Sequence, residues 1–122
     1  MAKEKWRYHK NGNIFLNDHS RNLTIYLVEQ FVSESNLQGV EPVFLIFYNL
    51  FELNNYLSNE NDYLWLINYL QRRNIKYINT LPFFQDFYSQ HHSYDPLFIP
   101  DGHYSQLGNT IIAKALLNKF EN

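Results

Sequence analysis

The first strong pattern along the chain is a stripe of apolar residues at helical spacing in residues 22–34. Apolar residues recur at i, i+4 and i+8, namely Leu23, Leu27 and Phe31. Three further apolar residues widen the stripe: Ile25, Val28 and Val32. Asp18 or Ser20 is placed to cap the first turn. This pattern predicts a mostly buried helix.

Two further helices are predicted from the same spacing. Apolar residues follow the polar, Asn-rich loop 54–62 at i, i+3, i+4 and i+7: Tyr63, Leu66, Ile67 and Leu70. The basic pair Arg72-Arg73 and Asn74 then supply stop signals. The last helix spans 105–120, with an apolar stripe of Leu107, Ile111, Ile112, Ala115, Leu116 and Phe120.

The remaining apolar segments predict two strands. Gly39 and Pro42 bracket a break, after which residues 43–48 form a continuous apolar run that indicates a strand covered on both faces. Residues 75–78 predict a short second strand. The strand–helix–strand order implies a right-handed crossover between parallel strands. An aromatic helix or turn at 83–88 and a polar loop at 89–94 follow.

The predicted elements are those of an α/β chain, but they include too few strands for a complete α/β domain. Two parallel strands cannot offer both faces to three or four helices in a three-layer core. We therefore expect residues 1–122 to be a single unit that is the C-terminal part of a larger α/β domain, or that depends on a partner chain. Within it, residues 1–20 are expected to be an arm or loop and 21–122 the α/β core.

Composition removes several function classes. The chain has no cysteine, which excludes disulfides, thiolate metal sites and cysteine nucleophiles. Ten Lys and Arg against twelve Asp and Glu argue against binding to nucleic acid or to an anionic membrane. No apolar run approaches the length of a membrane span, and no export signal is present. The compartment stays open, with the cytoplasm as the default for the chain as written.

The stretch from Asp101 to His103 could carry chemistry. Residues two apart in an extended loop project to the same side, so the Asp101 carboxylate can accept a hydrogen bond from one ring nitrogen of His103. Gly102 supplies backbone freedom between them. The simpler alternative is a turn dipeptide followed by a polar residue ahead of a helix.

The longer block Asp101-Gly-His103-Tyr-Ser-Gln-Leu-Gly108-Asn-Thr-Ile-Ile-Ala113 resembles the last conserved block of the SGNH (GDSL-type) hydrolases. The resemblance implies a flavodoxin-like α/β/α fold with an incomplete parallel sheet, and ester hydrolysis or acyl transfer by serine attack. His103 would be the general base and Asp101 would orient it. It implies a small acyl ester or acylated saccharide as substrate, with no cofactor and no metal.

The chain departs from that family in its nucleophile. It has no Gly-Asp-Ser tripeptide, and its serines lack that setting: Ser20, Ser33, Ser35, Ser58, Ser89, Ser93 and Ser105. The family's Gly and Asn blocks that donate to the oxyanion have no convincing counterpart, because Asn17-Asp18 precedes a helix and follows no strand. One residue separates Asp101 from His103, where many members have two. We therefore expect an inactive segment that needs an upstream serine-bearing segment. Ser105, where the helix begins, is expected to be a cap.

The alternative function is a non-catalytic α/β module that pairs with a partner chain through an apolar strand edge or helix face.

The neighbouring pair His91-His92 suggests a metal site, but adjacent side chains diverge and no acidic cluster of suitable spacing accompanies them. We therefore interpret the pair as part of a solvated loop. The aromatic groups at 44–48 and 83–88 are interpreted as core or partner contacts, not as a platform for nucleic-acid bases.

Overall fold

The structure of the chain, a computed structural model, describes residues 18–56 and 63–121. Its elements, in chain order, are α1 (Asp18–Leu37), β1 (Val43–Ile46), α2 (Leu50–Tyr56), α3 (Leu64–Arg72), β2 (Lys76–Asn79), α4 (Leu81–His91), a 3-10 turn (Asp95–Leu97) and α5 (Gln106–Glu121). β1 and β2 pair in a two-stranded parallel sheet. The described part is therefore mixed α/β and mostly helical, which confirms the α/β class and the parallel pairing.

The chain divides into two compact units. Among the described residues, unit 1 comprises residues 18–43 and 63–76, and unit 2 comprises residues 44–56 and 77–121. Of the expected arm at 1–20, residues 18–20 instead form the first turn of α1, and the rest lies outside the described residues.

The two described helices of unit 1, α1 and α3, end in the same hydrogen-bonded turn. At the end of α1, the Val40 N–H donates to the Ser35 carbonyl at 3.0 Å, and Gly39 adopts a φ of 70°. At the end of α3, the Ile75 N–H donates to the Leu70 carbonyl at 2.9 Å, and Asn74 adopts a φ of 54°. These are Schellman motifs, which need a left-handed residue after the helix. The stop signals predicted at Gly39 and Asn74 are confirmed.

A charged cluster joins α1 to α3 in unit 1. The Glu29 carboxylate accepts hydrogen bonds from Arg73 Nε at 2.8 Å and Nη2 at 3.0 Å, and from the Tyr69 hydroxyl. These donors, Arg73 first, lower the pKa of the Glu29 carboxyl to about 2. Nearer the start of α1, the Arg21 guanidinium lies 5.4 Å from the centre of the Trp65 ring.

The predicted buried stripe of α1 is wrong. Leu23, Leu27 and Phe31 are each about half exposed, while Val28 and Ser35 are buried. The packed side is therefore the one that carries Val28 and Ser35, and Glu29 lies at its edge, where it contacts Arg73. The helix is also longer than predicted, so that Asp18 and Ser20 are helical residues and not caps.

The strand predicted at 43–48 is shorter and less covered than expected. β1 ends at Ile46, and only Ile46 of its four residues is buried, the other three being of intermediate burial. Phe47, directly beyond the strand, is 54% exposed. No residue of β1 is exposed, so both faces of the strand are at least partly covered in the described structure, although less completely than predicted. β2 begins one residue later than predicted.

Unit 2 has a core of aromatic and aliphatic side chains. Its fully or nearly fully buried members are Leu53, Phe84, Tyr94, Leu97 and Ala115. Two predicted boundaries are wrong. Helix α2 includes the first residues of the predicted loop 54–62, and α4 is longer than the predicted helix at 83–88 and ends at His91. The Asn49 side chain and Glu52 form a reciprocal capping box for α2, with bonds of 2.8 and 2.9 Å, which explains why a polar segment is helical.

Helix α5 is confirmed close to its predicted bounds, and Gly108 decides how closely it packs. A Cβ added at Gly108 would lie 2.2 Å from the Leu97 carbonyl oxygen and 3.0 Å from the Tyr104 ring. The first turn of α5 therefore lies against the backbone of the 3-10 turn.

We expect Gly108→Ala to destabilise the protein, although the same change in an ordinary helix is favourable by about 1 kcal/mol. The added methyl group must displace a backbone carbonyl, and overpacking of this kind costs about 1–3 kcal/mol. Urea unfolding followed by circular dichroism measures the change. Asn109→Ala, at an exposed position in the same turn, serves as control and should not lower stability. An unchanged or raised midpoint for Gly108→Ala would contradict the close approach.

Candidate functional site

The candidate site is built on a tight turn between the 3-10 turn and α5. The Gly102 N–H donates to the Ile99 carbonyl at 2.9 Å, and the Ile99 N–H donates to the His103 carbonyl at 2.8 Å. Phe98 and Tyr104 form an antiparallel bridge at the base. Gly102 has a φ of 95°, a left-handed conformation that glycine adopts without strain, as its predicted role requires.

Asp101 and His103 form the pair that the sequence predicted. Asp101 Oδ1 accepts the His103 backbone N–H at 3.0 Å and lies 3.0 Å from His103 Nδ1. The backbone donor first, and the imidazole second, hold the pKa of the Asp101 carboxyl below its ordinary value. This contact favours the tautomer with the proton on Nδ1, which leaves Nε2 as the ring nitrogen able to accept a proton.

The pair is open to solvent. The His103 side chain is 82% exposed and that of Asp101 is 61% exposed. Within the described residues, the hydrogen bonds of His103 go to Asp101 and Ile99. No described serine hydroxyl is hydrogen-bonded to its ring, and Ser58 lies outside the described residues.

Tyr104 anchors the turn to the end of β1. Its hydroxyl accepts the Tyr48 backbone N–H at 3.1 Å and donates to the Tyr48 carbonyl. Its ring stacks on Phe84 at 5.7 Å and packs beside Phe98 at 5.0 Å, measured between ring centres. Burial, with a contribution from the Glu52 carboxylate, raises the pKa of Tyr104 to about 12. The hydroxyl is therefore neutral and acts as donor and acceptor together.

The same end of the sheet is tied together by three polar side chains. The Tyr48 hydroxyl donates to Asn79 Oδ1 at 2.9 Å, and that oxygen also accepts the Leu81 N–H at 3.1 Å. Thr80 donates to the Ile46 carbonyl through both its N–H, at 3.0 Å, and its hydroxyl, at 2.8 Å. Because sites of parallel α/β sheets lie at the carboxyl ends of strands, the turn occupies a typical position for a site.

Sequence reasoning missed this polar framework. Tyr48, Asn79, Thr80 and Tyr104 carry no motif that distinguishes them from other polar or aromatic residues. The available signal was that tyrosines within apolar segments find a hydrogen-bond partner when buried. That signal identifies a donor but not its partner, because Tyr48 and Tyr104 are 56 residues apart.

Ser105 is a helix cap, which confirms its predicted role. Its hydroxyl donates to the Pro96 carbonyl at 2.7 Å and accepts the Gly108 N–H at 3.2 Å. A hydroxyl held by these two bonds stabilises the first turn of α5. It is not positioned as the nucleophile for His103.

The adjacent His91 and His92 diverge, as predicted, although His91 belongs to α4 and not to a loop. The His91 ring stacks on Phe87 at 4.1 Å, whereas His92 meets Tyr88 edge-on at 6.4 Å. Across residues 18–56 and 63–121, no group of three or more His, Asp or Glu side chains is placed to hold a metal ion.

A cavity of about 630 Å³ lies in unit 1, away from the residues predicted to be catalytic. Its wall includes the ends of α1 and α3 and the Glu41–Lys76 ion pair, whose atoms are 2.8 Å apart. Arg73 on the same wall is bound to Glu29. Because each of these charged side chains is paired with one of opposite charge, they give the cavity wall no net charge that would attract a charged ligand.

Comparison of the chain with protein-family models, with curated proteins and with solved structures found no match. The SGNH resemblance therefore remains a prediction that depends on the Asp101–His103 block. In the part of the chain that the structure describes, no helix is both long enough and apolar enough to cross a membrane.

We expect Tyr104→Phe to lower the free energy of unfolding by about 1–3 kcal/mol at neutral pH, because both backbone groups of Tyr48 lose their partner. Since the pKa of Tyr104 is raised by folding, its contribution is complete below the ordinary value of 10.0 and is lost as pH rises toward about 12. The stability of the unmodified chain should therefore fall over this pH range more steeply than that of the variant.

Urea unfolding at a series of alkaline pH values measures both effects. Tyr26→Phe is the matched control, since Tyr26 is 59% exposed, and it should change neither the stability at neutral pH nor the alkaline slope. Equal slopes for the unmodified chain and Tyr104→Phe would contradict the assignment of this hydroxyl.

Proposed function

We propose that this chain supplies the Asp–His part of the catalytic triad of a serine esterase or O-acyltransferase of the SGNH type. The observation that carries the proposal is the Asp101–His103 geometry, in which Oδ1 lies 3.0 Å from Nδ1. Asp101 is held at a fixed position in a hydrogen-bonded turn, and Tyr104 ties that turn to the end of β1. The family's complete flavodoxin-like α/β/α architecture belongs to the proposal as well.

The proposed chemistry uses His103 Nε2 as general base. It takes the proton from a serine hydroxyl as the serine oxygen attacks the acyl carbonyl carbon, and the imidazolium then gives that proton to the departing alcohol. Water or an acceptor hydroxyl next attacks the acyl-serine, which gives hydrolysis or transfer. Asp101 stabilises the imidazolium through Nδ1–H. The substrate class is a small acyl ester or an acylated saccharide.

The serine and the donors for the oxyanion are proposed to come from an upstream segment. The sequence contains no Gly-Asp-Ser, and Ser105 is held as a cap. The exposure of His103 supports this division, because its ring is accessible to a surface that would bring a serine and exclude water from the pair. This chain by itself would then be nearly inactive.

A second candidate function is a non-catalytic module that pairs with another chain. It is favoured by β1, whose apolar residues are only partly covered and which pairs, among the described strands, with β2 alone. Apolar strands with an accessible edge are sites for strand addition. This function needs neither Asp101 nor His103, so substitutions of the pair distinguish the two candidates.

The test pairs this chain with the polypeptide encoded directly upstream of Met1. The two are expressed together and treated with a fluorophosphonate probe and with a short-chain aryl acetate. We expect the probe to label a serine of the upstream polypeptide, with little turnover from this chain alone. His103→Ala should lower turnover by about 10³-fold or more, and Asp101→Asn by about 10²-fold or more.

His92→Asn is the matched control, because His92 is an exposed histidine of unit 2 with a φ of 58°, which asparagine tolerates. It should leave turnover unchanged. The proposal fails if no strand followed by Gly-Asp-Ser is encoded upstream, or if labelling and turnover persist in His103→Ala. Robust turnover by the isolated chain that survives replacement of every serine would refute the missing-nucleophile argument.

A further inference from the structure

One side of the first half of α1 exposes three large apolar side chains. We call it the outer face of α1 and define it by Leu23, Tyr26 and Leu27, which are 46%, 59% and 57% exposed. At 100° per residue these positions lie on one side of the helix. Contiguous apolar surface of this kind marks interaction sites in soluble proteins.

The other side of α1 is already used within unit 1. Glu29 on that side binds Arg73 and Tyr69 of α3, and Val28 is buried. The outer face is therefore not the surface by which α1 packs on α3, and among the described residues its side chains are about half exposed to solvent.

Charged and polar residues on the outer face identify a second copy of this chain as the occupant. His19 lies on this face at the first turn of α1 and Glu34 near the last turn, about 22 Å apart at 1.5 Å per residue. Two copies of α1 can pack antiparallel about a two-fold axis that passes between Tyr26 and Leu27. His19 of one copy then lies opposite Glu34 of the other.

The same register places the centre of the face against itself. Tyr26 lies opposite Leu27 of the second copy, and Leu23 lies opposite Gln30, so an aromatic ring meets an aliphatic side chain at the axis. A parallel pair would instead bring Glu34 against Glu34, which like-charge repulsion disfavours. We propose that the outer face is the contact surface of an antiparallel, two-fold symmetric homodimer.

The size of the face predicts a weak dimer. Its exposed side chains would bury on the order of 400 Å² per copy, about half of what a standard-size interface buries on each partner. An interface below the standard size is expected to be weak, so the dimer should form reversibly as concentration rises. The Glu34 carboxylate keeps one oxygen for His19, because Gln38 Nε2 binds the other at 3.0 Å.

The first experiment is sedimentation equilibrium of the full chain from about 5 µM to about 1 mM. We expect the mass to rise from 14.7 kDa toward twice that value. Leu27→Lys should weaken dimerisation by about tenfold or more, because it places a cation at the axis of an apolar contact. Leu117→Lys is the matched control, since Leu117 on α5 is 55% exposed, and it should not change the dimer. Circular dichroism confirms that both variants are helical.

A charge reversal tests the register. His19→Glu and Glu34→Arg should each weaken dimerisation, whereas the double variant should restore it, because the new carboxylate of each copy would then meet the new guanidinium of the other. In a parallel pair the double variant would bring like charges together and dimerise no better than either single variant. A monomer at every concentration, a dimer insensitive to Leu27→Lys, or a double variant that fails to recover would each overturn the proposal.

Discussion

The hydroxyl of Tyr104 makes the contact on which the candidate site depends. It satisfies both backbone groups of Tyr48 at the end of β1, and its ring is packed against Phe84. Unsatisfied polar groups are costly away from water, so this pair of hydrogen bonds is a strong constraint on where the following turn can lie. His103 precedes Tyr104 in the chain and forms part of that turn. The position of the proposed base relative to the strand ends is therefore set by a neutral tyrosine that takes no part in the proposed chemistry.

The described structure exposes apolar surface in places where an α/β fold ordinarily covers it. Three of the four residues of β1 are only half-buried, and Phe47 beyond it is 54% exposed. In unit 1 the apolar side chains of the outer face of α1 are half-exposed. The two features concern different elements and support different proposals: the open strand supports pairing with a further segment, and the helix face supports association of two copies. Both follow from hydrophobic surface that the described residues leave in water.

Local sequence signals predicted well where α1 and α3 end and where α5 begins. Gly39 and Asn74 end their helices because each adopts the left-handed conformation that a Schellman motif requires. Ser105 caps α5 and Gly108 allows its close approach, as expected for a hydroxyl and for a residue without a Cβ. The prediction failed for α1, where apolar spacing correctly indicated a helix but not which side would pack. The packed side carries Val28 and Ser35, with Glu29 in contact with Arg73 at its edge, and the apolar spacing of α1 alone does not distinguish that side.

The sequence by itself determined the α/β class, the parallel pairing of the two strands and the proximity of Asp101 to His103, since these follow from local patterns, from the order of the elements and from short spacing. Only the tertiary structure showed that the pair is exposed and that Tyr104 ties its turn to a strand 56 residues earlier. It also showed that β1 is only partly covered. Contacts between distant segments decide burial, and they depend on how all the packed surfaces fit together. Local periodicity and spacing carry no record of that fit.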